Sequence, residues 1–201
     1  MRAAENIIWV RAMYNVKEIV KGVYRELVGL GYKPVVVGTY ALIIQGWLPL
    51  PYLDETKDID IYVDEPMIVF DNRVEERITA LGLSVGRTES GGFYVDAGKP
   101  IEILYPIHDF YIPGALLRHT VTIDDMEVLE GHAVLVAKAL ASSIEYLADT
   151  IRVRGIRVNT ERLRDLIQSI ADEVEPTRYR IAERRIESFI KKLYTHTKGE
   201  G

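Results

Sequence analysis

The 201-residue chain contains no cysteine. Disulfides, thiolate nucleophiles and cysteine-based zinc sites are therefore excluded. Histidine is scarce: His108, His119, His132 and His196 are the whole supply, and no two are spaced as a ligand pair on one helix. That excludes a histidine-rich metal centre. Positive charge is not in excess, since 25 Lys and Arg stand against 30 Asp and Glu for a net charge of −5. A chain-wide nucleic-acid footprint is excluded, while a local basic patch stays open. No apolar run reaches the roughly 18 residues of a membrane-spanning helix. The opening stretch MRAAENIIWVRAMYN lacks the uninterrupted apolar core of a signal peptide, because Glu5 and Arg11 break it. These absences predict a soluble cytoplasmic protein with no membrane partner. Asparagine and glutamine are rare beside arginine, a bias that points to a thermophilic source.

What is present suits a folded domain, alone or with a small appendage: 48% of residues are apolar and 27% charged. No internal repeat or low-complexity tract occurs. Residues 3–30 read as a helix, with Asn15 a candidate cap, Ile19, Val20, Val23, Leu27 and Leu30 on one stripe, and Gly31 a terminator. KPVVVG reads as a short buried strand, TYALIIQGW as a short helix and the two-proline LPLPYLDE as a loop. KDIDIYV is a second strand and PMIVFDNRVEERITALG a helix ending at Gly82. LSVGRT, GFYVDAG and PIEILYP then form three short strands between glycine-bearing turns. A short PGALLRH turn and a candidate strand near HTVTID lead into GHAVLVAKALASSIEYLAD, a strong helix. IRVRGIRVN is a basic linker, TERLRDLIQSIADEV and TRYRIAERRIESFIKKLY are amphipathic helices divided by Pro176, and THTKGEG is a frayed end. The pattern predicts an α/β (α+β) chain. A mixed-sheet core with its N-terminal helices spans residues 1–125, and a C-terminal helical region over residues 126–201 packs on it.

The stretch TKDIDIYVD, residues 56–64, raises a chemical question. Aspartate is a poor strand former, yet Asp58 and Asp60 sit two positions apart in a strand pattern. Alternation puts them on one face with Tyr62, opposite Ile59, Ile61 and Val63. Their Cα atoms are then about 7 Å apart, close enough for both carboxylates to reach one small site. One reading is a half-exposed edge strand with a solvated acidic face. The other is a site for a hard cation, magnesium or manganese, which relieves the repulsion and activates phosphate chemistry. Upstream, a strand runs into Gly38 and Thr39 and then a helix. Gly38 permits close backbone approach, and Thr39 is a candidate N-cap at a helix start whose free amides suit a triphosphate. Downstream, Glu102 sits between Ile101 and Ile103 in another strand as a third carboxylate. Lys138 has Val134, Leu135, Ala141 and Ser142 as helical neighbours, an apolar-to-small stripe on which an ammonium needs a partner or a ligand such as phosphate. Asp165 has polar neighbours, so a solvated face or an ion pair with Arg162 competes with a functional role.

The set resembles the nucleotidyltransferase fold of the DNA polymerase beta superfamily, in particular its minimal and AbiEii-type toxin members. VVVGTYALIIQG and TKDIDIYV carry the likeness, which covers roughly residues 34–105. The resemblance implies that Asp58, Asp60 and Glu102 hold catalytic metal, that Glu102 helps deprotonate the attacking hydroxyl, and that Gly38 and Thr39 meet the nucleotide phosphates. It also nominates Lys138 and Asp165 as nucleotide-binding. The activity implied is metal-dependent transfer of a nucleoside monophosphate from a nucleoside triphosphate to an RNA, protein or small-molecule hydroxyl, releasing pyrophosphate. Two alternatives stand beside it: a catalytically silent partner in a toxin–antitoxin-like pair, bound to an antitoxin, and a carboxylate-metal phosphohydrolase. Two departures from the family pattern stand out. Thr39 replaces the commoner Gly or Ser, and no basic residue lies in the WLPLPYLDE stretch before the aspartates. Arg152, Arg154 and Arg157 offer a guide for RNA or a solvated turn, and the helix bearing Ile181, Ile186, Phe189 and Ile190 a packing stripe or a partner surface.

Overall fold

A computed structural model describes residues 2–88, 92–107 and 111–195, with the backbone alone for residues 2–15. His108, His196 and residues 196–201 of the expected frayed end lie outside the described residues. Helix α1 (Arg2–Gly29) runs unbroken through Asn15, which therefore caps nothing. It stops where expected: Gly31 takes a φ of +94°, and the Tyr32 amide turns back to the Leu27 carbonyl at 3.1 Å. Strand β1 (Pro34–Val36) feeds helix α2 (Gly38–Ile44) directly. The proline-rich connection that follows is not all loop, since Tyr52–Glu55 winds one turn, α3.

Strand β2 (Ile59–Val63) comes next. The helix expected after it is divided. Pro66–Phe70 form a 3-10 turn, and Asp71 leaves helical geometry to cap α4 (Asn72–Ala80), accepting from the Arg73 amide at 3.1 Å. Tyr32 and the Arg73 guanidinium bind the same carboxylate, so this cap also ties α4 to the segment after α1. Three short strands follow as predicted: β3 (Ser84–Arg87), β4 (Phe93–Asp96) and β5 (Ile101–Leu104).

After the turn α5 (Gly114–Leu117) the chain makes a hairpin of β6 (Thr120–Ile123) and β7 (Met126–Leu129). The sequence reading missed β7. Its turn is the pair Asp124–Asp125, at φ +50° and +66°, a role more often given to Asn-Gly. Lys17 binds Asp124, and Lys21 and Arg25 approach Asp125 at 3.4 and 3.7 Å. The Tyr24 hydroxyl accepts from the Glu127 amide at 2.9 Å, so α1 clamps the hairpin along its length.

The seven strands form one mixed sheet in the order β3-β4-β5-β2-β1-β7-β6. Strand β2 is central: it runs antiparallel to β1 and parallel to β5, with Asp60 opposite Glu102 and Ile61 opposite Ile103. Ile59, Ile61, Ile101 and Ile103 are fully buried on the same pleat face. The edge-strand reading of the aspartates is thereby excluded.

The long helix expected after β7 breaks at Ser142, which is extended (φ −149°, ψ 172°). Serine hydroxyls compete for backbone groups and favour such ends. The two parts are α6 (Gly131–Ala141) and α7 (Glu145–Val153), the second absorbing the start of the expected basic linker. Helix α6 is apolar nearly all round and is correspondingly enclosed, packing on α2, α8 (Thr160–Ser169) and α9 (Pro176–Tyr194). Pro176 opens α9 behind Glu175, whose carboxylate accepts from the Thr177 and Arg178 amides. On α9 the packing stripe holds Ala182 rather than Ile181, which is exposed.

A polar joint fixes the start of α6. Gln45, just past α2, donates to the Leu129 carbonyl at 2.9 Å and accepts from the Gly131 amide at 3.0 Å. The Asn159 amide donates to His132 Nε2 at 3.1 Å, so the ring proton sits on Nδ1 and is given to Glu130, which also takes Arg162. Trp47 meets the His132 ring edge-on, 4.9 Å between centroids. A Cβ on Gly131 would fall 2.3 Å from the Trp47 indole. Gly131→Ala is therefore expected to lower stability by about 1–3 kcal/mol through overpacking, measured as a reduced urea midpoint at unchanged slope.

Candidate active site

Asp60 sits on the central strand and Asp58 on the turn that enters it, while Glu102 is carried beside Asp60 by the β2–β5 register. Two bonds fix this approach: the Ile59 amide to the Pro100 carbonyl at 2.9 Å and the Val37 amide to the Asp60 carbonyl at 3.0 Å. The result brings one oxygen from each of Asp58, Asp60 and Glu102 within 4.8 Å of one another. An all-oxygen set of this size, half-buried and without histidine, fits a hard divalent cation.

Burial and like charge bear on two of the three carboxylates, Asp60 and Glu102. Burial, and then the Asp58 charge, push the Asp60 carboxyl up to about 7, and Glu102 adds to the rise. Lys138 pulls the other way. The Glu102 carboxyl is also raised, by burial and then by Asp58. Burial depresses the Lys138 ammonium, and the charges of Asp60 and Asp58 partly restore it.

Gly38 is placed where nothing larger fits. Its φ is +66°, and a Cβ there would lie 2.0 Å from Asp60 Oδ2. Thr39 does not cap α2: the N-cap is Val37, with no side-chain bond, and Thr39 lies one residue inside the helix. Its hydroxyl instead accepts from Lys138 Nζ at 3.0 Å. Gly38, Thr39, Asp60 and Lys138 thus meet at one place. Asp165 does not join them. It is exposed on α8, in a separate surface hollow with His119, Asn159 and Arg162.

The cleft beside Asp60 also takes in Tyr111, Ile112, Ser142 and Arg178. None of these carries a local sequence signal. Ser142 and Arg178 stand at helix ends that only the folded chain brings to the cleft. Of the arginines read as a possible guide, Arg152 pairs with Asp149 at 2.9 Å and Arg154 donates to the Gly46 carbonyl at 3.1 Å.

The pH dependence follows from the raised carboxyl. The folded value of Asp60 lies above the ordinary 3.8, so its stabilising contribution is complete at low pH and is lost as pH rises through about 7. The metal-free protein is expected to lose thermal stability across that window relative to Asp60→Asn, the difference between the two melting curves being the readout.

A family model described as a nucleotidyl transferase of unknown function, DUF2204, matches residues 16–184. No curated protein matches the chain. Among solved structures the chain is similar to JHP933 of Helicobacter pylori, at 11% identity and TM-score 0.45, over 93% of this chain and 95% of that one. It is also similar to the antibiotic-resistance factor ANT(2'')-Ia, at 12% identity and TM-score 0.41, over 90% of this chain and 97% of that one. Because the family model spans most of its length, the chain belongs to the DUF2204 family of nucleotidyl transferases.

Proposed function

We propose that the protein transfers a nucleoside monophosphate from a nucleoside triphosphate to a hydroxyl acceptor, with a divalent cation, magnesium or manganese, at Asp58, Asp60 and Glu102. The observation that carries this reading is the convergence of the three carboxylates within 4.8 Å, Asp60 and Glu102 from two paired central strands and Asp58 from the segment that enters the first of them. Bound there, the cation would neutralise phosphate charge and acidify a hydroxyl.

The chain's own residues divide the remaining work. Glu102, with its raised carboxyl, is the base that takes the proton of the attacking hydroxyl. The acceptor oxygen bonds to the α-phosphorus, the bond from phosphorus to the bridging oxygen breaks, and pyrophosphate leaves with that electron pair. Gly38 lets the backbone approach the phosphates, while Thr39 and Lys138 meet them with a hydroxyl and a cation. Asp165 receives no role in this step, because its hollow is separate.

The reading is tested by following labelled nucleotide from each triphosphate into RNA, protein and small-hydroxyl acceptors with magnesium present. Asp58→Ala is expected to cut transfer by about a hundredfold or more with the fold retained by circular dichroism. Equal labelling by wild type and variant would overturn it. Gly38→Ala is expected to be as damaging, because its Cβ displaces the Asp60 carboxylate. Weakened manganese binding, read by electron paramagnetic resonance, would accompany that loss.

A further inference from the structure

The cleft holds more positive charge than the roles above use. It is a solvent-open cleft that begins at Asp60 and runs along α6 to Ser142 and Arg178. Two cations from different helices face it, Lys138 and Arg178, and Asp60 is its one carboxylate among the lining residues. Much of the remaining wall is apolar, with Val134 and Ala137 contributing.

Arg178 is aimed there by its surroundings. Its amide donates to Glu175 at 2.9 Å and its Nε to the Leu140 carbonyl at 3.3 Å, which pins the base of the guanidinium to the end of α6. Both terminal amino groups are left for the cleft. Among the described residues, no carboxylate forms an ion pair with this half-buried guanidinium. A cation held against an apolar wall without a counter-ion costs free energy, and an anionic ligand removes that cost. With two cations against one carboxylate, the cleft lining is net positive. A nucleobase is neutral and asks for no such charge. A terminal phosphate does, and the flat guanidinium fork fits it in two-point fashion.

We propose that Arg178, assisted by the Ser142 hydroxyl, holds the terminal phosphate of the donor and then the departing pyrophosphate. This rests on the nucleotidyl-transfer reading above. In that role Arg178 stabilises the charge that collects on the leaving oxygen as its bond to the α-phosphorus breaks. It is also the residue that sets how long the product stays bound.

The test is calorimetric titration of the full chain with inorganic pyrophosphate and magnesium. Arg178→Gln is expected to weaken pyrophosphate binding about tenfold, with Arg178→Lys between it and wild type. Ser142→Ala, an exposed position whose change leaves packing alone, is expected to weaken it a few-fold. Nucleoside monophosphate and manganese binding are expected to stay at wild-type levels in all three. Wild-type pyrophosphate affinity in Arg178→Gln and Ser142→Ala, with transfer intact, overturns this assignment and leaves the transfer reading standing. Selective loss of monophosphate binding assigns the cleft to the nucleobase and also overturns it. A wild-type chain that binds no pyrophosphate and transfers nothing removes both readings together.

Discussion

The parallel register between β2 and β5 is the constraint on which the rest depends. By setting Asp60 opposite Glu102 it confines like charges on a central, covered pair of strands. Such confinement is unfavourable on both counts, repulsion and desolvation. Everything nearby responds to it. Gly38 gives up its side chain so that the Asp60 carboxylate has room, and Lys138 brings a compensating ammonium from α6. The site is therefore a strained arrangement held by a strong scaffold: Ile59, Ile61, Ile101 and Ile103 are fully buried on the opposite pleat face and fix the strands that carry the charges.

The scaffold's second task is to place α6. That helix reaches the acidic cluster through Lys138, yet its position is set far from there. Gln45 joins the end of α2 to the start of α6 with one bond in each direction. Glu130, His132 and Arg162 extend the joint to α8, and Trp47 closes over Gly131. Because Thr39 is on α2 and Lys138 on α6, this joint governs the separation of the two groups that bond across the cleft. Structural hydrogen bonds at one end of α6 thus set a side-chain contact two turns away.

Much of this was legible in the sequence. Period-2 alternation found β2 through β5, and glycine signals ended α1 and α4 correctly. The carboxylate cluster was readable because acidic residues are disfavoured in and beside buried strands, and that conflict shows in a single chain. Other features were not local. Strand β7 was hidden because its turn is Asp124–Asp125 in place of an Asn-Gly pair, with Lys17, Lys21 and Arg25 brought to it from far along the chain. The break at Ser142 was masked by the helical periodicity on both sides. Thr39 resembled a cap by type and place, but Val37 holds that position and the hydroxyl turns to Lys138. Arg178 lay in a helix whose pattern is fully explained by packing, so its contribution to the cleft depends on the path the chain takes to get there.

The bond between Thr39 and Lys138 has a bearing on how this site can diversify. Gly38 is frozen, since any side chain there collides with Asp60. Its neighbour is not: serine or alanine at position 39 is compatible with α2, whose N-cap does not use the Thr39 side chain. Alanine would remove the tether on the ammonium, and with it the hold on Lys138 when no ligand is bound, whereas serine keeps a hydroxyl that can accept the same bond. Variation in the fold's chemistry can therefore accumulate one residue from an immovable position. The threonine hydroxyl at position 39 thus sets how mobile the neighbouring ammonium is.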